Sequence, residues 1–195
     1  NHLKIAFIAT YPPRQCGIAT FTADLFNSLK SLYCEDTHSN CQGNYLQVIA
    51  LNNNSKEYSY GNEVSFKIRA PYRGDYRQAA DFINLSPVDV VCLQHEFGIF
   101  GGEDGNNIIP LLGALKKPVV TTLHTVLEKP TAGQLKTLKR ICERSALVIV
   151  LAQKAVTLLK DIYQVPEEKI AKIHHGTPDL PFLDTFYYKE QLYQF

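Results

Sequence analysis

The 195-residue sequence contains no methionine, no tryptophan and no excess of charge of either sign. Lysine and arginine number 20 and aspartate and glutamate 19, for a formal net charge of +1 at pH 7. Without a basic block, the chain lacks the clustered phosphate contacts on which nucleic-acid binders depend. No apolar run approaches the roughly 20 residues that cross a bilayer, and the first residues do not follow the signal-peptide pattern. These absences argue against a dedicated nucleic-acid binder and against a membrane-spanning protein.

The five cysteines are odd in number and form no C-x-x-C pair, so motifs built on that spacing are absent. Cys92 falls in an apolar strand-like run and Cys142 on the apolar side of a helix-like segment, as small core residues do. Cys34 and Cys41 could pair in an oxidising compartment. Since nothing else in the sequence points to such a compartment, we expect reduced thiols and a cytoplasmic location.

Strand-like and helix-like segments alternate along the chain. Near-continuous apolar runs are typical of strands covered on both faces, and the segments between them repeat apolar residues at helical spacing. This alternation predicts an α/β fold with a doubly wound, mostly parallel sheet and helices on both faces. The predicted strands are residues 5–9, 46–51, 64–69, 88–93, 119–123, 146–151 and 170–173.

Three local signals complete the prediction. Phe21 falls on the apolar face of the first predicted helix, and the polar residues 34–45 that follow this helix predict a surface loop. Thr131 and Gln134 are spaced as in a capping box and predict the start of another helix.

The first predicted strand leads through a proline turn into the first predicted helix. Pro12 and Pro13 end the strand because neither offers a backbone N–H. Gly17 stands where the helix begins, and free N–H groups at a helix N-terminus attract phosphate. Arg14 adds a positive charge beside that end. The turn is a candidate phosphate-binding loop, with an ordinary helix cap as the alternative.

Histidines gather at the predicted ends of strands, where open α/β sheets bind their ligands. Such side chains can orient hydroxyls, act as acid or base, or stabilise a leaving phosphate. For any one of them, a hydrogen-bonded structural role is the alternative. Four of the six histidines are placed in this way: His95, His124, His174 and His175.

A glycine-rich loop follows the fourth predicted strand and contains Phe97 and Phe100, which we expect to be exposed. One interpretation is a mobile wall whose backbone approaches a substrate. The other is a tight connection into the next helix. We favour the wall because His95 and Glu96 directly precede the loop.

Several catalytic motifs are absent. The chain has no G-x-G-x-x-G after its first strand, no Walker A and no G-x-S-x-G, which weakens dehydrogenase, NTPase and hydrolase hypotheses. His95, Glu96, His124 and His175 are types that ligate metals, but they lack the helical spacing of H-E-x-x-H. A metal-dependent hydrolase is therefore the least favoured hypothesis.

Four stretches resemble, in order and at sensible spacing, the N-terminal half of family 4 glycosyltransferases. The first two are closest to a bacterial subgroup described as sugar transferases, mannosyl transferases among them. The stretches are PRQCGIATF at 13–21, LQHEFGIFGG at 93–102, TTLHT at 121–125 and HGTPD at 175–179.

This resemblance implies a GT-B architecture, in which two Rossmann-like domains face each other across a cleft. The N-terminal domain shapes the acceptor side and the C-terminal domain binds the nucleotide sugar. Members transfer the sugar with retention and generally need no metal in the site, so the resemblance implies no cofactor. By position, the resemblance assigns Arg14, Gly17 and Ile18 to the loop that approaches the donor diphosphate and sugar. It assigns His124 to catalysis and His95, Glu96, Phe97 and Gly98 to the acceptor wall. The hinge between the domains would begin at His175 and Gly176.

The chain departs from the family in its second half. The paired glutamates of the second domain are missing, since no two glutamates stand eight positions apart, and no further βα units follow His175. We therefore expect residues 1–175 to be the acceptor-side domain and residues 176–195 a linker toward a missing C-terminal domain, so that the chain alone is inactive.

The resemblance also implies partners for the intact enzyme. These are a nucleotide-sugar donor and a carbohydrate or glycolipid acceptor, with no nucleic acid and with peripheral membrane association of the full-length protein. A different class of hypothesis is a non-catalytic module that binds a sugar or nucleotide phosphate at Gly17.

Overall fold

The structure, a computed structural model, describes residues 2–37, 45–53 and 58–176. Strands and helices alternate along these residues. Their bounds are β1 Ile5–Ala9, α1 Gly17–Thr37, β2 Leu46–Asn52, β3 Val64–Arg69, α2 Arg73–Leu85, β4 Val90–His95, α3 Ile108–Ala114, β5 Val119–Leu123, α4 Ala132–Arg144, β6 Leu147–Val150, α5 Gln153–Asp161 and β7 Ile170–Lys172.

All seven strands pair in parallel in one sheet, in the order β3-β2-β1-β4-β5-β6-β7. The chain moves outward from β1 through β2 to β3, then returns to the other side of β1. Such a reversal leaves a crevice at the carboxyl ends of the two strands that flank it, here β1 and β4. The predicted α/β class and parallel sheet are confirmed.

Strand β4 continues two residues beyond its predicted end. It pairs Gln94 with Thr122 and His95 with Leu123 of β5, whereas we expected Gln94 and His95 to follow the strand. The correction matters because successive residues of a strand point to opposite faces. Gln94 and His95 therefore leave β4 on opposite faces, and both are 0% exposed.

Helix boundaries follow local capping chemistry. The capping box predicted at the start of α4 is present: the Thr131 hydroxyl accepts from the backbone N–H of Gln134, and the Gln134 side chain accepts from that of Thr131. Helix α1 runs on to Thr37, although we expected a loop from residue 34. No helix in the described ranges is both long enough and apolar enough to cross a membrane.

Of the four described cysteines, Cys16, Cys92 and Cys142 are free and Cys34 is disulfide-bonded. Burial raises the pKa of the Cys92 thiol to about 11 and that of Cys142 to about 12, as expected for core residues. Cys34 is disulfide-bonded, which contradicts the expected reduced state at that position. Cys41 lies outside the described residues.

Candidate functional site

His124 lies at the carboxyl edge of the sheet, directly after β5. Its backbone N–H donates to the carbonyl oxygen of His95 over 3.0 Å, which extends the pairing of β4 with β5 by one residue. Its Nε2 atom lies 2.9 Å from Oε1 of the buried Gln94. Among the described residues, its Nδ1 atom has no hydrogen-bond partner. One nitrogen of the ring is thus hydrogen-bonded and the other is unpaired within the described residues.

The environment keeps this imidazole neutral. Burial, and secondarily the nearby His175, lowers the pKa of His124 to about 4. At neutral pH the ring therefore carries one N–H donor and one lone-pair acceptor. Such a ring can exchange a hydrogen bond with a hydroxyl without placing a charge in the site.

Phe21 joins helix α1 to this histidine. Its ring centroid lies 4.7 Å from that of His124 and 5.4 Å from that of His175, edge-on in both pairs. We predicted Phe21 only as part of the apolar face of α1, because helical spacing does not reveal which rings meet across elements. Through Phe21, the start of α1 and the ends of β5 and β7 form one site.

The N-terminus of α1 is open at Gly17. A Cβ atom at this first helical position would meet nothing within 4 Å. The preceding turn is tied to the end of β1, since the Thr10 hydroxyl and the Cys16 sulfur lie 3.1 Å apart. Ile18 is half buried against the main core and anchors the first turn. An anionic group could therefore approach the free N–H groups of this helix end.

Arg14 precedes α1 and lies on the β2 side of its N-terminus. Its Nη1 atom donates to the carbonyl oxygen of Leu51, near the end of β2, over 3.2 Å. Its charge also partly offsets the effect of burial on Tyr60, whose pKa is raised to about 12. Arg14 is therefore close to the helix end but separate from His124, which lies on the β5 side.

His95 is enclosed by aromatic rings. Its ring lies edge-on to Phe97 at 5.0 Å and stacks on Phe100 at 5.5 Å between centroids. Neither ring nitrogen has a hydrogen-bond partner among the described residues. Burial, and secondarily His124, lowers the pKa of His95 to about 3, so the ring is neutral. We expected His95 on the acceptor wall, but its ring lies behind the surface of that wall.

Glu96 connects the ends of β4 and β5 at the surface. Its carboxylate accepts one hydrogen bond from the Thr125 hydroxyl and another from the backbone N–H of Phe97 over 3.0 Å. Of the predicted wall residues, Glu96 is thus tied to the residue that follows His124, Phe97 packs on His95, and Gly98 has open space above its Cα atom.

The glycine-rich loop that follows is packed tightly. Phe100 is 0% exposed, so the expectation that both aromatic rings are exposed is wrong. Gly101 and Gly105 have positive φ angles, and added Cβ atoms would lie 2.3 Å from the Ala70 oxygen and 2.6 Å from the Phe97 oxygen respectively. The alternative of a tight connection is the one that this packing supports.

The predicted hinge lies where the described residues end. The Nδ1 atom of His175 lies 2.8 Å from the Gly176 oxygen, and both residues are exposed. Residues 177–195, which include most of the fourth resemblance stretch and of the predicted linker, lie outside the described residues. Within the described ranges, no group of three or more histidine, cysteine or acidic side chains is arranged to hold a metal ion.

Comparison with known proteins identifies the family and supports the fold. The model of the family Glycosyltransferase Family 4 matches residues 42–179. A glycosyltransferase from Rickettsia africae ESF-5 has a similar structure, with a TM-score of 0.61 and 15% identity, over 100% of this chain and 49% of that one. An alpha-glucosyltransferase in complex with UDP-glucose and DNA containing an abasic site gives a TM-score of 0.51 at 15% identity, over 91% and 43%. No curated protein matches the chain. The chain spans about half the length of these solved structures.

Proposed function

The chain belongs to glycosyltransferase family 4, and we propose that it forms the acceptor-side domain of an enzyme that transfers a sugar from a nucleotide-sugar to an acceptor hydroxyl with retention. The observation that carries the proposal is the meeting of a neutral His124 with the open N-terminus of α1 through Phe21. Mannose is the candidate sugar, because of the resemblance of residues 13–21 and 93–102 to the mannosyl-transferring subgroup.

The electrostatics of this site suit glycosyl transfer. The bond from the sugar to the donor phosphate breaks, a bond to the acceptor oxygen forms, and the proton of the acceptor hydroxyl passes to the departing diphosphate oxygen. The sugar becomes cationic in the transition state, as in glycoside hydrolysis. A protonated imidazole beside it would oppose that charge, whereas a neutral His124 can bind a sugar hydroxyl without doing so.

The leaving diphosphate would bind at the start of α1. Free backbone N–H groups and the positive end of the helix dipole stabilise an anion there. Gly17 leaves room for close approach, and Ile18 fixes the first turn against the core. Arg14 lies beside the same helix end and adds positive charge.

The acceptor would contact the surface formed by Glu96, Phe97 and Gly98, with His95 supporting it from behind. We assign residues 1–175 to this domain and residues 176–195, beginning with the hinge at His175 and Gly176, to a linker toward a nucleotide-sugar-binding domain. The donor is then held largely by that second domain, and no resident cofactor is required.

The partners of the enzyme follow from the same resemblance. Its location is inferred from the sequence, in which only the disulfide at Cys34 points to an oxidising compartment. We propose a cytoplasmic enzyme that acts on a carbohydrate or glycolipid and associates with membranes peripherally. Nucleic acid is not among the proposed acceptors, because the net charge of +1 is not gathered into a basic block.

The first experiment is a transfer assay on the full-length gene product with a panel of nucleotide sugars. We expect His124→Ala to lower kcat about 100-fold or more, with a smaller change in donor KM. His2→Ala is the control, since His2 precedes β1 at the opposite edge of the sheet and stacks on Tyr33 at 4.4 Å. Unchanged turnover in His124→Ala would remove His124 from its role, and absence of transfer from every donor would contradict the function.

The second experiment separates the enzyme from a binding module. Titration calorimetry of the 195-residue chain with nucleoside diphosphates should show no tight binding, because one rim of a cleft cannot supply all the contacts. Tight binding that Gly17→Val abolishes would favour the module, a hypothesis that the open helix end specifically permits.

A further inference from the structure

We propose that Gln94 is a positioning residue that holds His124 in the tautomer protonated at Nε2, so that Nδ1 is a hydrogen-bond acceptor toward the cleft. The inference rests on the proposed function for its consequence, but its evidence lies in two hydrogen bonds of the described structure.

Gln94 is enclosed and has a partner at each end of its amide. It lies on β4 and is 0% exposed. Its Nε2 atom donates to the Sγ atom of Cys92, two residues earlier on the same face, over 3.5 Å. Its Oε1 atom is thereby directed to His124 Nε2, 2.9 Å away. Since an amide oxygen can only accept, the hydrogen between the two residues must belong to the imidazole.

The other tautomer is disfavoured in this arrangement. It would place two lone pairs, on Gln94 Oε1 and His124 Nε2, against each other at a buried position. Both groups would then lose their hydrogen bond without gaining water, a costly outcome for buried polar atoms. If the Gln94 amide were turned by 180°, its oxygen would accept from the Cys92 thiol and its nitrogen would donate to His124 Nε2. His124 would then be protonated at Nδ1, and measuring the tautomer distinguishes the two orientations of the amide.

The tautomer decides what His124 can bind. Phosphate oxygens at neutral pH are hydrogen-bond acceptors, and an acceptor Nδ1 atom offers them no hydrogen. A sugar or acceptor hydroxyl can donate to Nδ1. By holding this tautomer, Gln94 favours binding of a hydroxyl group by His124. The phosphate would then bind at the N-terminus of α1.

The tautomer can be measured directly by long-range ¹H–¹⁵N NMR of the chain at pH 7, with the His124 signals identified by their loss in His124→Ala. We expect a pyrrole-type Nε2 and a pyridine-type Nδ1. In Gln94→Leu, loss of one hydrogen bond should shift the tautomer ratio toward Nδ1–H roughly five-fold or more. In Gln94→Glu, whose carboxylate also only accepts, Nε2 should stay protonated. Gln47→Leu is the control, since Gln47 lines a cavity with Lys4 and Tyr45 at the opposite edge.

A wild-type ring protonated at Nδ1 would overturn the proposal, as would a ratio that Gln94→Leu leaves unchanged. The wild-type spectrum needs no variant, so misfolding of Gln94→Leu does not remove the test. The NMR measurement uses no substrate, so its result is independent of the transfer assay. An inactive full-length enzyme whose His124 is protonated at Nε2 would contradict only the proposed function. An active enzyme whose His124 is protonated at Nδ1 would contradict only the proposed role of Gln94.

Discussion

The carboxyl edge of the sheet has two halves, on either side of the start of α1, and they use polar residues differently. On the β2–β3 side, Arg69 donates to both carboxylate oxygens of Asp75 over 2.8 and 2.9 Å and stacks on the ring of Tyr72. On the β4–β5 side, His95 and His124 are both held neutral by burial. One half contains compensated charges, and the other contains uncharged rings with nitrogen atoms that lack partners among the described residues.

This difference shows that charge alone does not mark a site. Asp75 also accepts from the backbone N–H of Arg69 over 3.0 Å, so the ion pair joins the end of β3 to the first turn of α2. Its charges serve the fold. The unpaired Nδ1 atom of His124 serves no internal contact, and we infer that it is available to a ligand.

The largest effect should come from the loop that closes the β4–β5 half. Gly101→Ala places a side chain at φ +65° with its Cβ atom 2.3 Å from the Ala70 oxygen, an atom that also accepts from Tyr76 and Asn107. Backbone strain and overpacking together should lower the free energy of unfolding by about 3–5 kcal/mol, measured by urea denaturation.

Gly113→Ala is the matched control, because it lies in α3 with nothing within 4 Å of its Cβ position. It should be neutral or stabilise the protein by up to about 1 kcal/mol. Equal effects of the two substitutions would mean that the loop is not held by the contacts described.

The next effect concerns pH. The pKa of His95 is about 3 in the folded protein, against 6.5 ordinarily. Below pH 6.5 the unfolded chain therefore binds a proton that the folded chain does not, and stability should fall by about 1.4 kcal/mol per pH unit from this group. Urea denaturation between pH 6.5 and 4.5 should show a loss of stability in the wild type that is about 2–3 kcal/mol larger than the loss in His95→Phe.

At pH 7 the same variant should be neutral or more stable, since it removes two buried nitrogens without partners. Burial also lowers the pKa of His124, to about 4, so a loss of the same sign over this pH range should remain in His95→Phe. A loss of stability in His95→Phe at pH 7 would show instead that the His95 nitrogens are hydrogen-bonded.

A smaller effect is expected in the charged half. Hydrogen bonds from Arg69 hold the pKa of Asp75 below its usual value of 3.8. The contribution of this pair is therefore fully present above pH 3.8 and is lost at lower pH, as the pH falls through the lowered pKa of the folded state. Asp75→Asn should lower stability at pH 7 by about 2 kcal/mol, because the carboxylate side chain is only 10% exposed.

Glu128→Gln provides the comparison. The side chains of its pair with Lys154 are 62% and 71% exposed, so the change should stay below about 0.5 kcal/mol. If Asp75→Asn changes thermal stability no more than Glu128→Gln does, the ion pair between Arg69 and Asp75 does not stabilise the fold as proposed.

Gly17→Ala should change stability by no more than about 1 kcal/mol, because its Cβ atom meets nothing and helical alanine is favourable. In the full-length enzyme, however, the methyl group occupies the space through which the diphosphate would approach. Transfer should fall about tenfold or more. Unaltered transfer kinetics would remove Gly17 from the donor loop.

Much of the fold could be predicted because its signals are local. The apolar run at residues 5–9 predicted β1 with its observed bounds, and Thr131 with Gln134 predicted the capping box of α4. The extension of β4 could not be predicted, because Gln94 and His95 are polar and belong to the strand only through pairing with β5. Phe100 was misjudged for the same reason: its burial depends on contacts distant in sequence.

The sequence predicted where the candidate site lies, but it did not predict the role of each side chain in it. Strand ends at His95 and His124 were evident from the sequence, since parallel strands bring their carboxyl ends to one edge. Phe21 could not be assigned to the site, because its spacing marks only a helix face. The pairing of Gln94 with His124 joins residues 30 positions apart, and no local pattern encodes it.

By itself, the sequence determined the alternation of strands and helices and the edge at which the histidines gather, because apolar period and strand direction are properties of short segments. Only the tertiary structure decided that His95 is enclosed while His124 keeps a nitrogen available. The reason is that Gln94 and His95 leave β4 on opposite faces. Gln94 contacts His124, which packs against Phe21 of α1, whereas His95 packs against Phe100 of the 97–105 loop.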